Sequence, residues 1–455
     1  MDDVGRVLSR AHELAAEFLA GLGTRPVWPR ATYDEMLAAL GGPLPEAGED
    51  PVAVVERLAT IADPGLVGTA GPRFFGFVIG GSMPAGLGAD VLTSVWDQNA
   101  GINALTPAAA AAEVVAGQWI VGALGLPSGT AVGFVTGGMM ANYSCLSAGR
   151  HAVLARHGWD VATRGLFEAP RVRVVVGRYR HDTIDRAVRY LGLGQESVLE
   201  VDTDDQGRIS VAALEATLAA GEGPTIVCLG AGEVHSGAFD DFVAAIPIAR
   251  RHDAWVHVDG AFGLWAAASP SYRHLTAGLD AADSWATDAH KTLNVPYDSG
   301  LALVRDPATL AAGFGVVADY LIGAAGDPME RTPEFSRRAR GFPVWAALRS
   351  LGRDGLAVLV DRLCAHATAL AKGFESIDEV EVVNDVVFTQ VMFRLSSDDR
   401  TAEAGRRLLA DGTCVVTPAV WDGHAVQRCA VSNWSTTDAD VDLTVDAVRR
   451  VVTAL

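Results

Sequence analysis

Ala254-Trp255-Val256-His257-Val258-Asp259-Gly260-Ala261-Phe262-Gly263 is the stretch from which the rest of the chain can be ordered. An apolar strand, Trp255 to Val258, runs into a carboxylate, Asp259, and then into small residues that let the chain turn away. Runs of the same kind recur at Ala131–Thr136, Val172–Val176, Thr225–Gly230, Ser284–Thr287 and Gly300–Val304, with helical stretches between them from about Pro107 onward. Strands apolar on both faces and separated by helices predict an α/β unit with a mostly parallel sheet covered on each side. Chemistry in such a sheet belongs at the C-terminal ends of the strands. Asp259 stands at one of those ends, where a carboxylate is costly unless something answers it. A cationic ring N–H is one answer; capping the next helix is the other.

Two further segments extend the pattern. Only two lysines, Lys291 and Lys372, occur among 36 basic residues. Arginine does not deprotonate and so cannot form an imine; a lysine kept in this background is a candidate for amine chemistry. Lys372 lies in a helical stretch, Ala365 to Phe374, and reads as a surface residue. Lys291 follows a short strand in Asp283-Ser284-Trp285-Ala286-Thr287-Asp288-Ala289-His290-Lys291, 32 residues after Asp259. That separation is about one βα unit plus a strand, so both groups can reach one cleft. A surface ion pair is the alternative for Lys291. Upstream, Val135-Thr136-Gly137-Gly138-Met139-Met140-Ala141-Asn142 follows a strand and opens a helix. Glycines there let backbone N–H groups approach a phosphate at a helix N-terminus, though an ordinary tight turn has the same composition. It lacks the Gly-Lys-Ser/Thr ending of a P-loop. A phosphate turn, a carboxylate for a pyridinium nitrogen and an amine for a Schiff base together describe a site for pyridoxal 5′-phosphate.

The chain resembles the fold-type I pyridoxal-phosphate enzymes and, within them, the group II amino-acid decarboxylases. Gly71-Pro72-Arg73-Phe74-Phe75 is similar to the family's His-Pro-Arg-Phe-Phe, Gly137 to Asn142 to its Ser-Gly-Gly-Thr-Glu-Ala-Asn turn, and Arg180-His181-Asp182-Thr183 to its Ala-His-Ser-Ser. Ser236-Gly237-Ala238-Phe239-Asp240 resembles a family strand-loop, Asp283 to Lys291 its Asp-Ser-(x)4-Pro-His-Lys signature with Ala289 for Pro, and Ser336-Arg337-Arg338-Ala339-Arg340 its Ser-Arg-Arg-x-Arg. The resemblance implies a seven-stranded-type sheet in a large domain at 66–335, an N-terminal helical dimerisation arm at 1–65 and a small C-terminal α+β domain at 336–455. It implies that Lys291 holds the cofactor as a Schiff base, Asp259 pairs with the ring nitrogen and His181 stacks on the ring. Gly137, Gly138 and Met139 would hold the phosphate by backbone N–H groups, with Asp288 and His290 beside it. Ala261 would lie under the ring and Ser236 near its 3′-oxygen. His181 as a helix-start histidine, Arg428 as a carboxylate anchor or a structural arginine, and His235 as a pocket or packing residue stay open. Phe74 to Phe77 and Trp96-Asp97-Gln98-Asn99 are pocket lining or plain core. The resemblance further implies a homodimer with its active site at the interface.

The reaction implied is decarboxylation of an L-amino acid to an amine and CO2. The stretch Leu321 to Phe335, which corresponds to the family's mobile loop, holds no tyrosine; Tyr320 stands just before it. Either another acid, such as His181 or a partner histidine, protonates the carbanion, or the carbanion has another fate: carbon–carbon cleavage, oxidative deamination to an aldehyde, or aminotransfer. A cofactor-binding protein without turnover is the remaining alternative. Net charge −19 disfavours nucleic acid and anionic membrane as partners. The five scattered cysteines, the acidic N-terminus without a signal-peptide core and the lack of a long apolar run predict a cytoplasmic protein with reduced thiols. No metal-ligand cluster is evident.

Overall fold

In the strand Arg173–Gly177, Val174 and Val176 enter one apolar cluster and Val175, between them, enters another; all three are fully buried. Side chains alternate across a strand, so both faces of this sheet are covered, and unbroken apolar runs are the result. The computed structural model describes residues 2–314 and 326–455. Its main sheet has seven strands: β1 (Ala131–Val135), β2 (Arg173–Gly177), β3 (Val198–Val201), β4 (Thr225–Gly230), β5 (Trp255–Asp259), β6 (Ser284–Asp288) and β7 (Gly300–Val304). They lie in the order β1-β7-β6-β5-β4-β2-β3. The five strands from β6 to β3 are parallel to one another, as expected of this α/β class.

Two features depart from the reading of the sequence. β7 runs antiparallel to both β6 and β1. The connection from Asp288 to Gly300 is too short to hold a crossover helix, so the chain returns in the opposite sense. β3 is a further strand at the sheet edge. It pairs only with β2, and its Glu200 is exposed and bonded to Arg180, so it lacks the apolar signature of an inner strand.

The C-terminal region carries a second sheet, β8 (Glu381–Val382), β9 (Gln390–Arg394), β10 (Thr417–Trp421) and β11 (His424–Ala430), ordered β10-β11-β9-β8 and antiparallel throughout. β10, absent from the sequence reading, and the early start of β11 share one cause. Asp422 and Gly423 both take positive φ, 47° and 79°, closing a two-residue hairpin turn. A helical run, Gly341–Glu375, broken at Gly352 (φ 63°), ties the two sheets together. Gly341 abuts Glu113 in the helix Pro107–Ala123, and Gly373 abuts Val445 in the helix Asp438–Thr453.

An ion pair locks the same seam. Arg337 Nη1 and Nη2 lie 2.6 and 2.7 Å from the two oxygens of Glu113, and both side chains are buried. Burial pushes the Glu113 carboxyl up and Arg337 pulls it back. Replacing one partner strands the other charge. Glu113→Ala is therefore expected to destabilise the fold by about 3–5 kcal/mol, read as a lower denaturation midpoint at unchanged m-value.

Candidate active site

Trp255, His257 and Asp259 alternate onto the same face of β5, the face covered by the helix Gly138–Arg156. From that helix Asn142 reaches the strand. Asp259 can only accept, so the Asn142 amide nitrogen must face it: Nδ2 donates to Asp259 Oδ2 at 3.0 Å, and to Thr183 Oγ1 at 3.1 Å. Asn142 Oδ1 then accepts from His257 Nε2–H at 2.9 Å. His257 Nδ1 is left to accept from the Ser284 hydroxyl at 3.0 Å, and that hydroxyl accepts from Trp255 Nε1–H at 3.0 Å. His257 is fully buried, and burial pushes its imidazole down to about 4 against the pull of Asp259. The ring is neutral, in the one tautomer this chain of donors allows. Asp259 Oδ1 accepts the Ala261 N–H at 3.2 Å.

Asp259 and Ala261 open onto a cleft that Lys291, His181, Glu233, Val234 and Phe262 also line. His181 caps the helix Asp182–Tyr190. Its Nδ1 accepts from Thr183 N–H at 3.2 Å and stands 2.9 Å from Thr183 Oγ1. Lys291 Nζ pairs with Asp288 Oδ2 at 2.9 Å. Lys372 is exposed in the helical run 341–375, where the sequence put it. Cys228 also lines the cleft, but burial pushes its thiol well up, so it is not a thiolate nucleophile.

Asp288 ties the lysine to the glycine turn. A Cβ on Gly138 would lie 2.8 Å from Asp288 Oδ2, and one on Gly137 3.1 Å from the His290 ring. Close approach, not φ, requires glycine here. The N–H groups of Gly138, Met139 and Met140 have no partner among the described residues, and they open a 19-residue helix. Orphan donors at a helix N-terminus fit an anion such as phosphate. Asp288 Oδ1 is buried without a hydrogen-bond partner, and His290 Nε2 is 3.6 Å from it. His290 Nδ1 accepts from Ser299 N–H at 3.0 Å, so its proton sits on Nε2, toward that oxygen. The lysine pairs with Asp288 Oδ2, while Oδ1 stays without a hydrogen-bond partner. An aldehyde-reactive amine, a carboxylate across the cleft and an anion cradle are the groups that pyridoxal 5′-phosphate needs, and the site fits it.

Most of the predicted positions come together: Gly137, Gly138, Met139, His181, Asp259, Ala261, Asp288, His290 and Lys291 surround the cleft or its adjoining glycine turn. Ser236 does not. Its hydroxyl is fully buried and donates to Gln206 O at 2.6 Å, behind the cleft wall, because the Glu233 carboxylate folds the 233–238 loop around itself. His235 pairs with Glu233 at 2.7 Å and tilts against Trp421. Arg428 is buried, with Nη1 donating to Val234 O at 2.6 Å. Both are spent on packing in this structure. Phe74 and Phe75 are core, whereas Phe77 and Trp96 are exposed. Tyr320 and the stretch 321–325 lie outside the described residues. The sequence reading missed Asn142, Thr183 and His257 as site residues. The signal for His257 was its place two residues before Asp259, on the same strand face.

The family model for the pyridoxal-dependent decarboxylase conserved domain matches residues 34–396. An aromatic-L-amino-acid decarboxylase of Bacillus atrophaeus is 26% identical, over 94% of this chain and 91% of its own length. A 4-hydroxyphenylacetaldehyde synthase of Rhodiola rosea is 25% identical, over 96% and 93%. Among solved structures, Oryza sativa TDC with PLP and tryptamine superposes with a TM-score of 0.93 at 25% identity, covering 100% of this chain and 98% of that one.

Holding His257 neutral has a consequence for stability. The unfolded chain protonates this histidine near 6.5 and the folded one only near 4, so the unfolded state binds more protons between those values. That contribution to stability is present above 6.5 and is lost as pH falls toward 4. Melting temperature is expected to drop across this window more steeply in the wild type than in His257→Gln, measured by calorimetry at stepped pH.

Proposed function

The chain belongs to the pyridoxal-dependent decarboxylase family, and from that premise we propose that Lys291 carries the cofactor while Asp259 holds the proton on its ring nitrogen. The protein is a pyridoxal-phosphate-dependent carboxy-lyase that converts an amino acid to an amine and CO2. The observation that carries the residue assignment is Lys291, one of two lysines in the chain, lining one cleft with Asp259. When bound, the cofactor is an electron sink for the pair left as carboxylate departs. The residues do the rest. Gly137, Gly138 and Met139 hold the phosphate through the helix start, with Asp288 and His290 beside it. Ala261 leaves room beneath the ring, and His181, across the cleft, presents Nε2 for stacking and proton transfer. Asp259, already accepting from Asn142 and Ala261, would face the ring nitrogen of the cofactor.

The helices Tyr33–Leu40 and Pro51–Ala62 bury no residue, and Tyr33, Leu37, Leu40 and Leu58 are exposed. This supports a homodimer in which an arm of residues 1–65 covers the partner's large domain (66–335), with 336–455 as the small domain. All five cysteines are free and buried, and no helix among the described residues is long and apolar enough to cross a membrane. The thiols support a cytoplasmic location.

The test is an amino-acid panel with amine and CO2 quantified together by mass spectrometry. One amine per CO2 is expected from at least one L-amino acid, and Lys291→Ala should abolish both. A panel giving neither product would overturn the reading. One observation favours a second outcome: Leu321 to Phe335 contains no tyrosine to protonate the carbanion. In that outcome the carbanion is oxidised by dioxygen, and amino acid, O2 and water give aldehyde, CO2, ammonia and hydrogen peroxide. Oxygen uptake matching CO2 release would establish it; amine at full yield would exclude it.

A further inference from the structure

Asp259 and His181 stand on different elements, one at the end of β5 and the other at the start of the helix Asp182–Tyr190. Two side chains, Asn142 and Thr183, join them. One Asn142 amide hydrogen goes to Asp259 Oδ2 and the other to Thr183 Oγ1. Since Thr183 Oγ1 accepts there, its own hydrogen is free to turn to His181 Nδ1, 2.9 Å away. Asn142 is 1% exposed and sits on a rigid helix between the two walls.

We propose that Asn142 is a positioning residue that sets the Asp259 carboxylate and the His181 imidazole together, and that His257 acts as its orientation lock. An asparagine amide has two nearly isosteric orientations. Flipped, Asn142 would put its oxygen against Asp259, acceptor on acceptor, and its nitrogen against His257. His257 forbids the flip because Nε2–H needs an acceptor. The Ser284 hydroxyl, which accepts from the Trp255 indole N–H, has its own hydrogen to give His257 Nδ1 and so supports that tautomer. Four buried side chains therefore point a line of donors at one oxygen of the cleft. Asp288, His290, Lys291 and Glu233 face the same cleft and its glycine turn but give Asn142 no hydrogen bond among those described. This inference rests on the assignment of the cofactor to Lys291 and Asp259.

The experiment uses the full chain loaded with pyridoxal 5′-phosphate and reads two quantities, cofactor dissociation constant and visible circular dichroism per bound cofactor. A hydrogen bond to a charged group has a large effect when lost, so Asn142→Leu should weaken cofactor binding by about tenfold or more and change the visible dichroism. Thr183→Val cuts only the His181 branch; it should change the dichroism and leave affinity within about threefold. His257→Leu frees the amide to flip and should follow Asn142→Leu, whereas His257→Gln, which keeps an N–H for Asn142 Oδ1, should restore both signals toward wild type. A residue that only packs would lower the melting temperature and move neither signal. Folded Asn142→Leu with wild-type affinity and dichroism overturns the proposal. If Asn142→Leu does not fold, identical signals from His257→Leu and His257→Gln overturn it. Failure of the underlying assignment is distinguishable, because the wild-type protein would then bind no cofactor and show no visible dichroism at all.

Discussion

A carboxylate at the end of a buried strand must be satisfied, and much of the site follows from how that is done for Asp259. β5 is an inner strand of a sheet covered on both faces, so water cannot be the whole answer. The chain supplies two donors, Asn142 and the Ala261 N–H, and leaves the cleft side for a cation. Under the proposed assignment, this carboxylate would face the ring nitrogen of the cofactor. The neutral His257 behind Asn142 belongs to the same solution: it gives Asn142 Oδ1 a donor without adding a second charge.

The other end of the site is ordered by a second constraint, the close approach of β1, β6 and β7. Gly300 backs directly onto Gly137, where a Cβ would come within 2.5 Å of its Cα, and Gly138 touches Asp288. Packing the glycine turn on the end of β6 brings the orphan N–H groups of the helix start beside Asp288, and Asp288 brings Lys291 with it. The antiparallel β7 makes this possible, because the short return from Asp288 to Gly300 carries the lysine across the strand ends. Sheet topology, anion cradle and amine are thus consequences of one local geometry.

Several parts of this were legible in the sequence. The inner strands announced themselves because both faces are buried. Lys291 stood out because the chain uses arginine nearly everywhere else, and Asp259 because it ends an apolar run. What was hidden had physical reasons. β3 is an edge strand with an exposed ion pair, and β10 is recognisable only through the Asp422-Gly423 turn that follows it. Ser236 was misplaced because a serine in a loop can face either way; the Glu233 carboxylate, drawing the 235 and 236 N–H groups and the Ser236 hydroxyl inward, decides it. Arg428 stayed open between a carboxylate anchor and a structural arginine; in the fold it is buried, with Nη1 donating to Val234 O. Asn142 and Thr183 lay inside quoted segments and His257 two residues before Asp259, but nothing in the linear pattern joined the three. Their importance lies in mutual distances that no linear pattern expresses.

The central claim is that one amine, at position 291, bonds covalently to an aldehyde cofactor. Reducing the pyridoxal-phosphate-loaded protein with borohydride and mapping its peptides by mass tests this without any assumption about substrate. The account predicts a single phosphopyridoxyl adduct on Lys291. An adduct on Lys372, or a loaded protein with no reducible adduct, would contradict it.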